Sequence, residues 1–449
     1  MKVLLVSTNT LTEPYPTYPI GLDYVKNVIS PPHQVKIVDM NELRDGDAFA
    51  KVLSEELPDI IGLSIRNIDN NDEANPKTFI EDLQGIIGII RRHSKGLIIL
   101  GGSGFTILPE EFMNRLDADF GIIGEGERLQ ILLSALEDHK SLENVPGIVT
   151  RTSPVIFPNP WPLPFQRSFS KENSYIPFYL NRGGMLNLQT KRGCPFKCIY
   201  CTYPAIEGNQ FRFASPLDIA DTAKALQDAG AKYLYMTDST FNGSYEHSLE
   251  VAVAFKKAHV SVPWGGFFTP LHPIPDYYHI LADAGLTHVE FGTESLSNTM
   301  LDSYNKPFRV DDVLASHRDA ISAGLHVSHY LMLGGPGENN NTLLETLANT
   351  ERLMKTVFFV FNGVRIYPRT ALYDVAVKEG QIDANGSLLD PAFYWSPALQ
   401  RETVAEILRD HTANRMNWIF GSGHPNITKR MARMYARGHS GPLWEQLIR

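Results

Sequence analysis

The sequence predicts an α/β chain in four parts: a doubly wound, Rossmann-like open sheet over 1–140, a proline-rich connector over 141–184, a second α/β unit over 185–375 and a helical region over 376–449. Three observations carry this prediction. Strand-like apolar runs alternate with helix-like segments along the first 140 residues, the pattern of a parallel sheet covered by helices. Pro146, Pro154, Pro158, Pro160, Pro162, Pro164 and Pro177 crowd the connector and disfavour helix and strand interiors there. Beyond it, Cys194, Cys198 and Cys201, the only cysteines of the chain, fall within eight positions straight after a strand-like run at 185–189.

In the first unit, 3–7 reads as a buried strand and Pro19-Ile20-Gly21-Leu22 opens a helix, with proline suited to the first turn. Strands follow at 35–38, 60–65, 97–100 and 120–123, with helices at 48–57 and 76–93. Ligands of open parallel sheets sit beyond the carboxyl ends of the strands. Three loops there draw attention. Ser64, Arg66 and Asn67 make a polar turn directly after a buried strand. Gly101, Gly102 and Ser103 form a glycine turn that lets backbone approach a bulky ligand without Cβ clashes. Gly124, Glu125, Gly126 and Glu127 repeat the pattern. Tight strand-to-helix turns explain any one of these; three on one sheet edge favour a ligand.

The formal net charge of −9 argues against nucleic acid as the main partner, and no nucleic-acid partner is expected. No apolar run is long enough to span a membrane, and the N-terminus lacks the features of a signal peptide. Three clustered cysteines in 449 residues make no disulfide framework; they point to a metal site in a reducing compartment, the cytoplasm.

Gly193-Cys194-Pro195-Phe196-Lys197-Cys198-Ile199-Tyr200-Cys201 offers three thiolates. They can hold three irons of a [4Fe–4S] cluster and leave the fourth open, whereas structural cluster and zinc sites fill all four ligand positions. A zinc reading needs a fourth ligand, and the next histidine is His247. This spacing, with an aromatic before the last cysteine, resembles the radical S-adenosylmethionine superfamily. The resemblance implies a partial (β/α)6, TIM-type barrel over 185–375 and an open iron that binds S-adenosylmethionine. Cleavage of its sulfonium would release a deoxyadenosyl radical, with the electron coming from an external donor such as flavodoxin or ferredoxin.

Later segments match in order. A helix at 216–229 leads to a strand at 233–236, where Asp238, Ser239 and Thr240 stand in place of the Gly-Gly-Glu segment that meets the amino group of S-adenosylmethionine in the family. Glu294, after a strand at 288–291, is either a further contact to that cofactor or a helix cap. A strand at 327–333 is followed by Gly334-Gly335-Pro336-Gly337-Glu338, and Gly335 is expected near the adenine. The segment 364–367 reads as the closing strand, ahead of a turn in which Arg369 replaces the family's glycine.

A doubly wound domain before such a barrel resembles the cobalamin-binding, class B methyltransferase-like subgroup, and the glycine loops resemble its recurring segments. The resemblance implies cobalamin as a third cofactor. No Asp-x-His-x-x-Gly segment occurs in 1–150, and His33 and His93 lie in other contexts, so no histidine is expected on cobalt. Arg66 is placed either beneath the corrin or in a surface ion pair; arginine stays protonated and cannot ligate cobalt. The region 403–420 reads as an amphipathic helix, with Tyr394, Trp395, His411 and Trp418 as candidates for a pocket wall. The basic end at Lys429, Arg430, Arg433 and Arg437 reads as a solvated face or a substrate cap.

These features imply a cobalamin-dependent radical enzyme that transfers a methyl group from S-adenosylmethionine, via methylcobalamin, to an unactivated carbon or phosphorus of a small-molecule or natural-product substrate. The alternatives are a non-methylating rearrangement, ring contraction or cyclisation on the same cofactors, and a non-catalytic cobalamin-binding module.

Overall fold

The computed structural model describes all residues except 13–14, 44, 422–424 and 449. The first unit is a six-stranded sheet: β1 (Lys2–Ser7), β2 (Gln34–Asp39), β3 (Ile60–Ser64), β4 (Leu97–Gly101), β5 (Phe120–Ile122) and β6 (Ile148–Val149), in the order β2-β1-β3-β4-β5-β6. All pairs are parallel except β5–β6. Strand order reverses between β1 and β3, the switch point at which ligands of doubly wound sheets bind. The β1 residues Val3 to Val6 are buried because parallel sheets are covered on both faces.

The second unit is a curved, wholly parallel sheet of seven strands in sequential order: β7 (Met185–Leu188), β8 (Tyr233–Met236), β9 (Trp264–Phe268), β10 (Leu286–Glu294), β11 (His326–Leu333), β12 (Thr356–Asn362) and β13 (Trp418–Phe420). Three of its features differ from the sequence reading. The strand β9, Trp-Gly-Gly-Phe-Phe, escapes notice because two glycines weaken a strand pattern. They are there for close approach: a Cβ on Gly265 would lie 2.2 Å from the Tyr233 hydroxyl. The sixth strand is β12, and not 364–367. Gly363, at φ +72°, ends β12, and Val364–Arg365 pairs antiparallel with Phe393–Tyr394. The third difference lies in the tail. Its helix stops at His411, and Trp418–Phe420 returns as β13 beside β12.

The connector is mostly irregular, with β6 and one helix (Ile176–Leu180). It joins the two units, since Tyr18, Tyr175 and Tyr179 belong to one hydrophobic cluster that runs from Leu5 and Leu22 to Leu186 and Leu234. Polar ties reinforce this seam. Arg365 donates to Asp69 at 2.8 Å, and Arg167 to Asp23 at 2.7 Å. Arg369 occupies the left-handed region at φ +59°, where glycine is favoured. Its guanidinium donates to the carbonyls of Thr106 and Ile107 in the first unit, at 3.1 and 2.7 Å.

Candidate active site

A cavity of about 1050 Å³ lies between the carboxyl edge of the first sheet and the inside of the barrel. All ten residues expected from the three N-terminal loops line it: Ser64, Arg66, Asn67, Gly101, Gly102, Ser103, Gly124, Glu125, Gly126 and Glu127. Gly102 adopts φ +97°, and a Cβ there would lie 2.5 Å from the Ile65 carbonyl, so only glycine fits this turn without strain. Ser103 donates to the Arg66 carbonyl at 2.9 Å, tying two of the loops together. The Arg66 side chain faces the cavity and makes no ion pair or hydrogen bond among the described residues. Arg66 is open to the cavity; the protein mass around it lowers its proton affinity by desolvation, and four tyrosines, Tyr203 foremost, oppose that pull.

Glu125 and Glu127 line the cavity, but their carboxylates point to other work. Glu127 accepts from Arg192 at 2.6 Å; Glu125 accepts from Arg192 at 2.8 Å and from Arg212 at 3.0 Å. Both glutamates and Arg192 are buried. Burial opposes the charge on Arg192, and the two carboxylates outweigh it and hold the guanidinium firmly protonated.

Arg192 immediately precedes the cysteine loop. Cys194 is buried, Cys198 and Cys201 are half-buried, and all three are free thiols. Burial pushes Cys201 up to about 12 and raises Cys194. The thiolates therefore need an adjacent cation, which iron supplies. Among the described residues no three potential ligands converge as a mononuclear metal requires, whereas the thiolates of a cluster bind separate irons. The loop is anchored on both sides: the Cys194 amide donates to the Gly208 carbonyl at 3.0 Å, and the Ile199 amide to the Tyr304 carbonyl at 3.2 Å.

The rim residues of the barrel gather near this loop with their own partners. Asp238 is buried and saturated: it pairs with Lys191 Nζ at 2.9 Å and accepts from the Thr190 amide at 2.7 Å and from the Thr190 hydroxyl. Ser239 donates to the Gly193 carbonyl at 3.0 Å, and Thr240 holds Asn242 and Thr269. Glu294, at φ +62°, accepts from Tyr200 at 2.8 Å and from Lys306 at 3.2 Å. Gly335 lies under the Tyr304 ring, where a Cβ would come within 2.2 Å of the hydroxyl. Glu338 accepts from the amides of Gly334 and Gly335 and is pushed up to about 7 by burial. Tyr394, Trp395, His411 and Trp418 pack against other groups and do not line the cavity. From the tail, Thr428, Met431 and Trp444 do.

Family models decide the relationship. The radical SAM superfamily model matches residues 188–349, and the B12 binding domain model matches residues 7–133. The chain carries a radical SAM domain. Its first unit is a B12 binding domain. Among curated relatives, the tryptophan 2-C-methyltransferase of Streptomyces laurentii is 25% identical over 390 residues. That match covers 71% of this chain, and the chain spans 64% of that enzyme's length. The cytidylyl-2-hydroxyethylphosphonate methyltransferase of Streptomyces wedmorensis is 24% identical, with 92% and 90% covered. The solved structure of the radical S-adenosylmethionine methyltransferase TsrM from Kitasatospora setae, with cobalamin and a [4Fe–4S] cluster bound, has the same fold. It superposes with a TM-score of 0.86 at 19% identity, over 99% of this chain and 97% of that one.

The cofactors of this radical SAM protein are a [4Fe–4S] cluster, S-adenosylmethionine and cobalamin, and its residues fit them. For the corrin, the glycine edge leaves room and Asn9 keeps a buried, unpartnered amide nitrogen in the cavity wall. No histidine lines the cavity among the described residues. On the barrel side, Asn362 at the carboxyl end of β12 keeps a buried, unpartnered side-chain oxygen. Asn9 and Asn362 are absent from the sequence reading. A polar residue just beyond a buried strand, the signal that picked out Arg66, would have found Asn9; Asn362 ends β12, a strand the sequence reading did not place.

Proposed function

We propose that this radical SAM protein is a cobalamin-dependent methyltransferase that moves a methyl group from S-adenosylmethionine, by way of cobalt, to an unactivated carbon or phosphorus of a small molecule. One observation carries the reading. A single cavity runs from the glycine edge of the B12 binding domain, past Thr202 and Tyr203 beside the last cysteine, to Glu290, Tyr330, Phe359 and Phe361 inside the barrel. When bound, the cobalamin supplies a transferable methyl group, and the reduced cluster supplies the electron that splits the sulfonium of S-adenosylmethionine.

The chain's own residues position and shield. Gly101, Gly102 and Gly104 let the β4 turn approach the corrin, with Asn9 as a donor to its amide arms. Arg66 would place a cation beside the corrin, and a guanidinium has no lone pair to offer cobalt. Cys194, Cys198 and Cys201 hold three irons. Glu294, Gly335 and Asn362 surround S-adenosylmethionine, while Asp238 orders the Thr190–Lys191 segment just before the cluster loop. The aromatic wall of the barrel keeps water from the reacting centre. An external redox protein such as flavodoxin or ferredoxin supplies electrons, and the cytoplasm is the reducing compartment that suits three free thiols.

Anaerobic turnover of the fully loaded protein with S-adenosylmethionine bearing a trideuterated methyl group tests this. A labelled product is expected, together with S-adenosylhomocysteine. Deoxyadenosine without any labelled product would replace methyl transfer by a rearrangement on the same cofactors.

A further inference from the structure

One surface stands apart in charge. The chain carries a net −9, yet no acidic residue occurs between Asp410 and Glu445. Within that stretch the helix Pro425–Ala436 and the turn after it expose Lys429, Arg430, Arg433, Arg437 and His439. Arg430, Arg433 and Arg437 recur at helical spacing, so they share one face over about 10 Å. With Met434 and His439 they line a depression of about 340 Å³. None of the lysine and arginine side chains on this face makes an ion pair among the described residues. Other exposed cations do: Lys36 meets Glu56, Lys256 meets Asp283, Arg309 meets Asp302 and Arg401 meets Glu73.

The opposite face of this helix is spent on the protein. Met431 and Tyr435 are buried, and Tyr435 donates to the Gly441 carbonyl at 3.0 Å. Thr428 and Met431 line the cavity that the glycine edge of the B12 binding domain also lines. The basic face therefore stands one helix diameter, about 10–12 Å, from the cavity assigned to the corrin. With its apolar side buried, the helix has none to lay into a membrane. Among the described residues no exposed tyrosine, phenylalanine or tryptophan stands between the cations for a base to stack on. The negative charge of the rest of the chain repels a polyanion as long as a nucleic acid. A small acidic protein fits better, because one basic face on a negative surface both attracts it and fixes its orientation. Electron-transfer encounters are of this kind, small in area and steered by charge.

We propose that the face formed by Lys429, Arg430, Arg433 and Arg437 docks an acidic one-electron carrier protein, which reduces cobalt in the cavity behind the helix. This rests on the reading that methyl transfer runs through cobalt, which must be monovalent to take a methyl cation from S-adenosylmethionine. The carrier loses one electron, and divalent cobalt gains it and becomes monovalent. No covalent bond of the protein or of the carrier forms or breaks. The four cations act by docking and touch neither cofactor nor substrate.

The test mixes the protein, loaded with cluster and cob(II)alamin, anaerobically with the hydroquinone of a flavodoxin of net negative charge. Visible absorption follows the appearance of cob(I)alamin, and the anisotropy of labelled flavodoxin reads docking itself. At subsaturating flavodoxin, the combined variant Arg430→Glu, Arg433→Glu and Arg437→Glu should slow reduction at least about tenfold. Raised salt should slow it in the unaltered protein, a comparison that needs no variant to fold. Reduced methyl viologen, a small cation that needs no docking face, should reduce cobalt at least as fast in the variant. Flavodoxin reduction insensitive to charge reversal or to salt, or no reduction of cobalt by flavodoxin, would overturn the proposal. Slowing with both reductants would overturn it too, since the substitutions would then act through the fold. So would tighter binding of a single-stranded oligonucleotide than of flavodoxin to the same face. Methyl transfer is scored separately by the labelled product. Charge-dependent cobalt reduction without methylation would sink the proposed function and leave this inference; methylation with charge-independent reduction would do the reverse.

Discussion

Arg192 Nη1 lies 2.6 Å from Glu127 Oε1, so the residue two positions before the first cluster cysteine is clamped to the last glycine loop of the B12 binding domain. The clamp ties the cysteine loop to the glycine edge of the first sheet, because Glu125 and Glu127 follow β5 and Arg192 leads into Cys194. Replacing Arg192 by Met leaves buried carboxylates short of a counter-charge, a loss of about 3–5 kcal/mol for buried pairs. Thermal unfolding of the cofactor-free protein should show a much lower Tm for Arg192→Met, and a milder loss when Glu127→Gln is added. An unchanged Tm in the single variant would remove the clamp.

At Gly102 the backbone is left-handed and a methyl group would strike the Ile65 carbonyl. Gly102→Ala should cost about 1–3 kcal/mol and reduce the cobalamin retained per chain, read from visible absorption. Gly85, within the helix Ile80–His93, has nothing within 4 Å of its would-be Cβ. There, Gly85→Ala should stabilise the protein by about 0.5–1 kcal/mol and leave cobalamin binding unchanged.

Cys198 is half-buried, and its removal disturbs little packing. Cys198→Ala should lose iron and the visible absorption of the cluster, abolish cleavage of S-adenosylmethionine and retain cobalamin. Iron and corrin are assayed on the same sample. Loss of both together would show that the two sites do not load independently.

A buried chain of neutral groups predicts acid sensitivity. The Met354 carbonyl only accepts, so His317 Nε2 donates to it at 3.0 Å. His317 Nδ1 then accepts from His329 Nε2 at 3.0 Å, and His329 Nδ1 accepts from Thr293 at 2.7 Å. A proton on either ring breaks this order. Burial lowers His317 to about 4 and His329 well below its usual range. The folded values lie below the unfolded one, so the unfolded chain takes up protons first and stability is lost as pH falls from about 6.5 towards 4. The slope is about 1.4 kcal/mol per pH unit for each group. Denaturant melts between pH 7.5 and 5 measure it, and His317→Leu should flatten the curve.

Much of the fold was legible because its signals are local. The strands β1, β3 and β4 are short apolar runs closed by glycine or polar residues, and they stand where the pattern puts them. The elements that were missed lack such signals. Gly265 and Gly266 empty β9 of the bulk that marks a strand, and β13 is three residues long. In the site, the ten loop residues share a wall because every parallel strand delivers its carboxyl end to the same edge. Glu290 gave no sign, since an acid in an apolar strand reads the same whether it meets a cation, solvent or a cavity.

The sequence by itself determined the local patterns: three cysteines at the spacing of a [4Fe–4S] site, and glycine turns at the carboxyl edge of the first sheet. Both are fixed within a few residues of chain, where spacing is geometry. Only the tertiary structure decided that Glu125 and Glu127 serve Arg192, that Asp238 is spent on Lys191, and that Glu290 and Arg66 line the cavity with no ion pair among the described residues. Those relationships join residues tens to hundreds of positions apart, and burial and pairing at that range follow from how the two sheets pack.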